Sequence, residues 1–290
     1  MKDYFGYSGK TVVVTGAASG MGKAAAEMLA DLNAKVYALD WAETVPEGIE
    51  KYIHTDLSDK ASIDAAFAQI PDHVDSFFGI AGVSGARNDF VTTVKIDAIS
   101  NKYIMEEYLF HRMSKGGSIA IMTSLGGLGW EKEDNQKWLR PVLEAKGWDA
   151  AVAAASALPF AKMPGTFGYP YSKLAMNLYI AMQQKTFAAR GIRVNAVLPA
   201  STSSGLTGDF EKMAGGEDKL MANNGYATQL AKPCDMAQPI VFLNSDMALY
   251  ISGELMVVDF GGHIEETAGI RSQLNDINLS KILACLQSMK

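Results

Sequence analysis

The sequence is poor in the residues that form disulfides and metal sites. It has two cysteines, Cys234 and Cys285, which form no CxxC pair, and four scattered histidines without the spacing of metal ligands. Small secreted folds that depend on disulfides carry many more cysteines, and zinc sites use closely spaced Cys and His residues. Both classes are therefore excluded, and we expect a protein of a reducing compartment that needs no metal.

Positive charge and long apolar segments are also scarce. Lys and Arg number 26 against 32 Asp and Glu, which gives a net charge of −6 and a pI of about 5.3. Binding to nucleic acid or anionic lipid needs a basic surface, and a membrane helix needs an apolar run of about 18 residues, so neither partner is expected. The start, MKDYFGYSGK, lacks an apolar signal region. These absences predict a soluble cytoplasmic protein.

The sequence does contain an alternation of short apolar runs and longer helical patterns. The apolar runs predict strands at 11–15, 35–40, 51–56, 75–82, 118–124, 192–199 and 254–262. Helical spacing predicts the main helices at 21–32, 58–70, 91–113 and 169–190. Near-continuous apolar strands that alternate with helices are typical of a parallel sheet covered on both faces. We therefore expect one α/β domain over residues 1–290, with ligands at the carboxyl ends of the strands.

Two segments do not follow this alternation. Residues 128–165, here called the insert, hold three of the four tryptophans and an alanine-rich stretch. Within the insert, 137–146 and 149–158 each have a helical pattern. Residues 263–290, here called the tail, follow the last predicted strand. Both segments are additions to the alternating core.

A glycine-rich turn follows the first predicted strand. The strand runs directly into TGAASGMG, which contains Gly16, Gly20 and Gly22. Glycines let the backbone turn sharply and approach a pyrophosphate, and the N-terminus of the following helix offers free N–H groups. Glycines also serve ordinary turns. Their position between the first strand and the first helix favours a dinucleotide-binding turn.

Two acidic residues stand at the ends of the next two strands. Asp40 lies 18 residues after Gly22, where a carboxylate accepts hydrogen bonds from the adenosine ribose and repels a 2′-phosphate. No Lys or Arg stands between Thr15 and Gly22 or directly after Asp40, so the pattern predicts NAD(H) rather than NADP(H). The alternative is an ordinary Asp at a strand end. Asp56 is expected either to contact the adenine amino group or to cap the helix near Ser58.

A Tyr and a Lys four residues apart supply candidate acid–base chemistry. Tyr169 and Lys173 fall on one face of a predicted helix that begins at Tyr169. A phenol has a pKa of about 10, and a neighbouring ammonium favours the phenolate, which makes the group a usable general acid or base. Tyr171 has Ala175 four residues on and lacks such a partner. Ser124, at the end of the fifth strand, can hydrogen-bond a substrate oxygen, although a serine at a strand end is more often structural.

Together and in this order, TGxxxGxG, Asp40, Ser124, YxxxK and the late LPAST segment resemble the classical short-chain dehydrogenase/reductase family over about residues 9–262. The resemblance implies a single Rossmann-type domain, a doubly wound sheet of about seven parallel strands with helices on both faces, in a homotetramer or homodimer. It also implies hydride transfer between a nicotinamide and an alcohol or carbonyl carbon. Ser124 would position the substrate oxygen, Tyr169 would exchange the proton, and Lys173 would bind the nicotinamide ribose and lower the pKa of Tyr169. The cofactor residues implied are Gly16, Ser19, Gly20, Met21, Gly22, Asp40, Asp56, Leu57, Ala81, Gly82, Tyr169, Lys173, Pro199, Thr202 and Ser204.

The sequence departs from the family pattern in three places. Residues 79–82 read Gly-Ile-Ala-Gly where the family has Asn-Asn-Ala-Gly. The helix Asn that carries a proton-relay water in the family corresponds to Asp97, a further candidate catalytic residue. Its negative charge is expected to raise the pKa of Tyr169 or to hold Lys173 more tightly. Ser124 and Tyr169 are 45 positions apart, much farther than in the family, which puts the insert at the substrate mouth.

The substrate is expected to be a bulky apolar ketone or alcohol. The insert is either a lid over such a substrate or a helical hairpin at a subunit interface. Residues 205–225 match the family's substrate-binding loop, where Leu206, Phe210, Met213 and Met221 either form the pocket wall or pack against the sheet. The insert and the LPAST segment resemble bacterial hydroxysteroid dehydrogenases, which implies a 20β- or 3-hydroxysteroid. A reductase of another bulky ketone, such as a terpenoid, and a non-catalytic NAD-binding sensor stay open as alternatives.

Overall fold

The chain folds around one parallel sheet. The structure, a computed structural model, describes residues 3–275 and 277–288, so residues 1, 2, 276, 289 and 290 of the expected domain and tail lie outside the described part. The strands are β1 (Thr11–Thr15), β2 (Lys35–Asp40), β3 (Lys51–His54), β4 (Ser76–Gly79), β5 (Ser118–Met122), β6 (Arg193–Pro199) and β7 (Leu255–Val258). The α-helices are α1 (Gly20–Asp31), α2 (Lys60–Phe67), α3 (Phe90–Val94), α4 (Ser100–Ile104), α5 (Phe110–Arg112), α6 (Glu133–Leu143), α7 (Gly147–Ser156), α8 (Gly165–Phe187), α9 (Thr207–Ala214), α10 (Glu217–Met221), α11 (Pro233–Asn244), α12 (Gly262–Thr267) and α13 (Leu279–Ser288).

The seven strands lie in the order β3-β2-β1-β4-β5-β6-β7, and every described pair is parallel. The order reverses at β1, because β2 and β4 flank it on opposite sides. Thr15 pairs with Leu39 on one side and with Gly79 on the other. The carboxyl ends of the three strands therefore meet at a topological switch point, where ligands bind in such sheets. The predicted Rossmann-type fold is confirmed.

Two apolar layers cover the sheet. Along β1, Val13 points into one layer and Val12 and Val14 into the other. Phe77 and Phe78 of β4 divide in the same way. This period of two follows from the pleat of a strand, and burial of each such side chain stabilises the fold by roughly 1.5–3 kcal/mol. Helices on both faces explain why the strands read as continuous apolar runs.

The helix predicted at 91–113 is interrupted by two π turns. It runs through α3, α4 and α5, with π turns at Lys95–Ile99 and Met105–Leu109 between them. Single π turns occur frequently at functional sites. Asp97 lies in the first of them and is buried.

The insert packs against its own chain. Its two predicted helices are present as α6 and α7. The ring of Trp148 lies 5.7 Å from that of Tyr103 in an edge-on contact. Lys102, which is buried, donates to the backbone oxygen of Ala145 at 2.6 Å. These contacts hold the insert against the long helix of residues 90–112.

Helix α8 begins at Gly165, four residues before the predicted start at Tyr169. The N–H of Gly165 donates to the backbone oxygen of Asn88 at 3.2 Å, and a Cβ at Gly165 would lie 2.2 Å from that oxygen. The insert therefore leads directly into a helix already fixed to the loop before α3. The predicted start was wrong because the tertiary contact of Gly165 with Asn88 places the first turn before Tyr169, and Pro170 lies within the helix.

In the described part of the chain, no helix is both long enough and apolar enough to cross a membrane.

Candidate active site

The glycine turn after β1 needs its glycines. Gly16 has φ of +72° and Gly20 has φ of +54°, both in the left-handed region that favours glycine. A Cβ at Gly22 would lie 2.0 Å from the backbone oxygen of Gly16. The first turn of α1 is therefore pressed against the end of β1, and no larger residue fits there.

The N-terminus of α1 is open to an anion. Ser19 is its N-cap residue, but no side chain accepts a hydrogen bond there, and no acidic residue stands in the first turn. Helix α2, by contrast, is capped by Asp59. The first N–H groups of a helix need acceptors, and a pyrophosphate supplies them. Ser204 faces this turn, because its Cβ lies 3.7 Å from the position of a Cβ at Gly20. The residues present thus fit a dinucleotide.

Asp40 is fixed at the end of β2 beside this turn. It is 9% exposed. One carboxylate oxygen accepts the N–H of Ala18 at 2.9 Å, and the other accepts the N–H of Ala42 at 3.0 Å. Each oxygen keeps a further lone pair, so the carboxylate can still accept from a ribose hydroxyl.

Asp56 lies at the end of β3 and does not cap a helix. Its carboxylate accepts the N–H of Ser58 at 2.7 Å, one turn before α2. The helix is capped instead by Asp59, which accepts the N–H groups of Ala61 and Ser62. The capping interpretation of Asp56 was wrong, because α2 begins later than the sequence pattern indicates. Asp56 is exposed, and its contact with adenine stays a prediction.

The loop after β4 joins the glycine turn to the predicted catalytic residues. The hydroxyl of Thr15 accepts the N–H of Ala81 at 3.3 Å. A Cβ at Gly82 would lie 3.5 Å from both the Asp97 Oδ1 and the Lys173 Nζ. The loop therefore passes within van der Waals distance of two buried charged groups.

Ser124, Tyr169 and Lys173 come together although they are far apart in sequence. Ser124 and Tyr169 line the same cavity, and the Ser124 hydroxyl accepts the N–H of Gly126 at 3.1 Å. The Lys173 Nζ lies 5.2 Å from the centre of the Tyr169 ring and donates to the backbone oxygen of Met122 at 3.2 Å. Lys173 is only 4% exposed. The i, i+4 spacing on α8 and the end of β5 produce this arrangement.

The pKa of Tyr169 lies above its ordinary value of 10.0 in the protein alone. Burial is the largest cause of this rise; the nearby Ser124 hydroxyl acts in the opposite direction, and the charge of Asp97 adds to the rise. Lys173 was expected to lower the pKa of Tyr169. The net shift of that pKa is upward instead, because burial disfavours the phenolate. Burial also lowers the pKa of Lys173, while the charge of Asp97 raises it.

A cavity of about 270 Å³ opens beside this cluster. Its walls come from the ends of β5 and β6, from α8, from α9 and α10, and from the tail. Among the described residues no charged side chain lines it; the lining residues are Ser124, Leu125, Gly126, Tyr169, Pro170, Pro199, Ala200, Ser201, Thr202, Thr207, Phe210, Met213, Ala214, Leu220, Asn223, Asn275 and Ile277. An apolar pocket with a few convergent polar groups is the usual form of a small-molecule site.

Two family models match consecutive parts of the chain. The model described as short chain dehydrogenase covers residues 10–131, and the model described as Enoyl-(Acyl carrier protein) reductase covers residues 135–263. The chain belongs to the short-chain dehydrogenase/reductase family. It is therefore an oxidoreductase that acts on alcohols or ketones with a nicotinamide cofactor.

Individual members of the short-chain dehydrogenase/reductase family resemble the chain over nearly its full length. A coniferyl-alcohol dehydrogenase of Pseudomonas sp. (strain HR199 / DSM 7063) is 28% identical over 255 residues, which cover 87% of this chain and 96% of that protein. A meso-2,3-butanediol dehydrogenase of Serratia marcescens is 24% identical, with 88% and 95% covered. The crystal structure of a 3-alpha-hydroxysteroid dehydrogenase from Pseudomonas sp. B-0831, complexed with NADH, has a TM-score of 0.73 at 19% identity and covers 91% of this chain and 100% of its own.

In this short-chain dehydrogenase the charge of Asp97 acts on the pKa of Tyr169 and on that of Lys173. It is 1% exposed, and its Oδ1 accepts the N–H of Val83 at 2.9 Å. Its Oδ2 is buried and has no hydrogen-bond partner in the described part of the chain. Burial raises the pKa of Asp97 to about 6, although Lys173 and the Val83 N–H act in the opposite direction. Its charge raises the pKa of both Tyr169 and Lys173, and its part in the reaction stays a prediction.

We expect Asp97→Asn to shift the pH profile of alcohol oxidation by this dehydrogenase to lower pH. The predicted role of Tyr169 as the base in oxidation requires its phenolate, and loss of the Asp97 charge lowers the pKa of that phenol. An Asn oxygen still accepts the Val83 N–H. The measurement is kcat against pH, with Asp89→Asn at the start of α3 as the control. An unchanged or alkaline-shifted profile contradicts the role of Asp97.

The pocket of this dehydrogenase contains both expected and unexpected residues. Phe210 and Met213 line it as predicted, and the Phe210 ring lies 5.0 Å from that of Tyr169. Leu206 and Met221 are not among the lining residues. Leu206 precedes α9. On α10 the buried residue is Leu220, which directly precedes Met221.

Sequence reasoning missed two further features of the site. Asn275 and Ile277 of the tail line the pocket. The hydroxyl of Ser84, in the loop after β4, donates to the Asp209 carboxylate on α9 at 2.6 Å. This bond joins the loop after β4 to α9. No spacing rule predicts a contact between residues as far apart in the sequence as Ser84 and Asp209, which are separated by 125 positions.

Proposed function

We propose that the protein is an NAD(H)-dependent dehydrogenase that interconverts a ketone and a secondary alcohol on a bulky apolar substrate, with a 20β- or 3-hydroxysteroid as the first substrate class to test. The observation that carries this proposal is that Ser124 and Tyr169 line one apolar cavity, which has no charged lining residue in the described part of the chain. A neutral substrate oxygen can reach both hydroxyls there, while the rest of the molecule contacts apolar walls.

Each residue of the cluster has a distinct part in the proposed reaction. A nicotinamide cofactor, when bound, supplies or accepts the hydride. The Ser124 hydroxyl holds the substrate oxygen beside the Tyr169 phenol. In reduction Tyr169 donates its proton to that oxygen, and its raised pKa keeps the phenol protonated beforehand. In oxidation Tyr169 takes the proton back, and the Lys173 ammonium favours the phenolate that this step needs.

The choice of NAD(H) rests on Asp40. Its carboxylate is held in place by two backbone N–H groups beside the glycine turn. At about 4 Å and an effective dielectric constant of about 20, two like unit charges repel by about 4 kcal/mol. A 2′-phosphate beside Asp40 would meet repulsion of this order.

We expect Asp40→Ser to reduce the preference for NADH over NADPH by on the order of 100-fold in kcat/KM, because the repulsion is lost. The measurement is the ratio of kcat/KM for the two cofactors. Asp56→Ser is the matched control, since the predicted adenine contact is shared by both cofactors. A wild-type protein that uses NADPH as well as NADH contradicts the proposal.

Two substrate classes compete within this function. The solved relative that is a 3-alpha-hydroxysteroid dehydrogenase supports a steroid. The coniferyl-alcohol dehydrogenase relative favours an aryl alcohol instead. Both classes are neutral and largely apolar, as the cavity requires.

The deciding experiment follows loss of NADH absorbance with 3-keto and 20-keto steroids, terpenoid ketones and aryl ketones or aldehydes. Turnover of one steroid with NADH supports the first class, and the product identifies the reacting carbon. Turnover of aryl substrates alone transfers the assignment to the second class. Bound NADH without turnover of any compound overturns the enzyme proposal in favour of the sensor. The homotetramer or homodimer and the cytoplasmic location stay predictions.

A further inference from the structure

The tail reaches the same cavity as the catalytic pair of its own chain. After α12 the tail returns across the front of the pocket, where Asn275 and Ile277 line it together with Ser124 and Tyr169. The side chain of Ile277 adds an apolar wall, and that of Asn275 adds an amide. The pocket is thus completed by residues that lie outside the alternating core.

One residue of the insert holds the tail in this position. Asn135 on α6 is 0% exposed. Its amide nitrogen donates to the backbone oxygens of Gly129 and Ile277, both at 2.8 Å, and its oxygen accepts the N–H of Leu279 at 2.7 Å. Both donors and the acceptor are therefore used. Two of the three bonds fix the backbone on either side of residue 278.

A second contact supports this anchor. The indole N–H of Trp138 donates to the Ser280 hydroxyl at 3.0 Å, and that hydroxyl donates to the backbone oxygen of Asp134 at 3.0 Å. Leu279 is fully buried between them. The insert therefore acts as the support of the tail, which gives a physical reason for its position before α8.

The tail also brings a polar pair to the pocket. The Asn275 amide nitrogen donates to the Asn223 side-chain oxygen at 3.0 Å. An amide has two N–H donors and an oxygen with two lone pairs, so this bond uses a fraction of their capacity. The two amides stand on walls other than those that carry Ser124 and Tyr169. They suit a neutral oxygen, because a carboxylate in an apolar pocket needs a cation.

We propose that Asn275 and Ile277, held by Asn135, are specificity residues of this dehydrogenase and that the Asn223–Asn275 pair binds a second hydroxyl or carbonyl oxygen of the substrate, remote from the reacting carbon. The substrate is then a neutral, bulky molecule with two oxygen functions. This inference rests on the proposed function, because it concerns the same pocket.

The first test compares substrates that differ by that second oxygen. A 17-hydroxy-3-ketosteroid and its 17-deoxy counterpart serve as the pair, or 4-hydroxyphenyl and phenyl ketones if only aryl compounds turn over. Asn275→Ala is expected to lower kcat/KM about tenfold on the hydroxylated member through KM, and by less than about twofold on the other. Ile277→Ala is expected to lower both about tenfold, since it removes shared apolar contact. Leu274→Ala, at an exposed position of the tail, is the control.

The second test concerns the anchor and does not depend on turnover. Asn135→Ala is expected to speed tryptic cleavage after Arg271 and Lys281 at least tenfold, because the tail loses its bonds to the insert. Lys137→Ala, on the exposed side of α6, is the control and should leave cleavage unchanged. If Asn135→Ala does not fold, Trp138→Phe removes the bond to Ser280 alone and should speed cleavage in the same direction.

The outcomes separate this inference from the function on which it rests. A wild-type protein that reduces no ketone overturns the proposed function and the specificity role together, whatever the cleavage rates. If the wild-type protein turns over both substrates normally and Asn275→Ala lowers kcat/KM equally on the two, that result overturns the second-oxygen contact alone. Unchanged cleavage in both anchor variants overturns the support of the tail by the insert.

Discussion

Replacement of Tyr169 by Phe is expected to lower kcat about 1000-fold while leaving NADH affinity nearly unchanged. The substitution removes one hydroxyl, which is the proton donor in reduction and the acceptor in oxidation, and general acid–base groups contribute about 100- to 10,000-fold. The ring keeps its contact with Phe210. Steady-state rates together with NADH fluorescence titration measure the two quantities separately.

Tyr171→Phe is the matched control for this substitution. Tyr171 is equally a helix tyrosine on α8, but its hydroxyl donates to the backbone oxygen of Trp138 at 2.9 Å, away from the cavity. Loss of that bond should cost about 1 kcal/mol of stability and leave kcat within about twofold. Equal rates for Tyr169→Phe and the wild-type protein would remove Tyr169 from the mechanism. A wild-type protein that binds NADH without turnover would support the sensor.

Replacement of Lys173 by Met is expected to lower kcat by on the order of 100-fold and to make stability depend on pH more strongly than in the wild-type protein. Asp97 then lacks its cationic neighbour, so its pKa rises further above about 6, against 3.8 in the unfolded chain. A raised carboxyl pKa means that the folded state binds the extra proton. Stability is therefore lost as pH rises from about 4 through the folded pKa, and the loss exceeds the roughly 3 kcal/mol that corresponds to the wild-type shift from 3.8 to about 6. Urea denaturation at pH 5 and pH 8 measures this.

The double variant Asp97→Asn with Lys173→Met separates the two effects. It removes the buried carboxylate, so the pH-dependent loss of stability should disappear while kcat stays low. If the single Lys173→Met variant is equally stable at pH 5 and pH 8, Asp97 does not depend on Lys173 for its charge.

Much of the fold could be predicted from the sequence, because buried strands can be recognised from their apolar residues. The runs at 11–15 and 35–40 coincide with β1 and β2 to the residue. Strands buried on both faces are apolar at nearly every position, and this pattern is local. Helix starts were less predictable. The start of α8 depends on the contact of Gly165 with Asn88, which is a tertiary effect.

The candidate site likewise has residues that local sequence spacing predicts and others that depend on tertiary contacts. Tyr169 and Lys173 were found because four residues make one helical turn, and Asp40 because it ends a strand beside the glycine turn. The role of the tail could not be found. Asn135 and Ile277 are 142 positions apart, and nothing in their local sequence indicates the bond between them. The rise in the pKa of Tyr169 also needed the structure, because burial depends on the whole pocket.

The π turn at Lys95–Ile99 has a consequence for how relatives are compared. A π turn holds one residue more than the α-helical turn that it replaces, and each residue of a helix rotates its neighbours by about 100°. Deletion of one residue in this turn would swing Asp97 away from Lys173 without changing either side chain. In a relative with a shorter helix, counting along the chain would therefore pair Asp97 with the wrong residue. The counterpart of Asp97 has to be identified by superposition, and the length of this helix is itself part of the site.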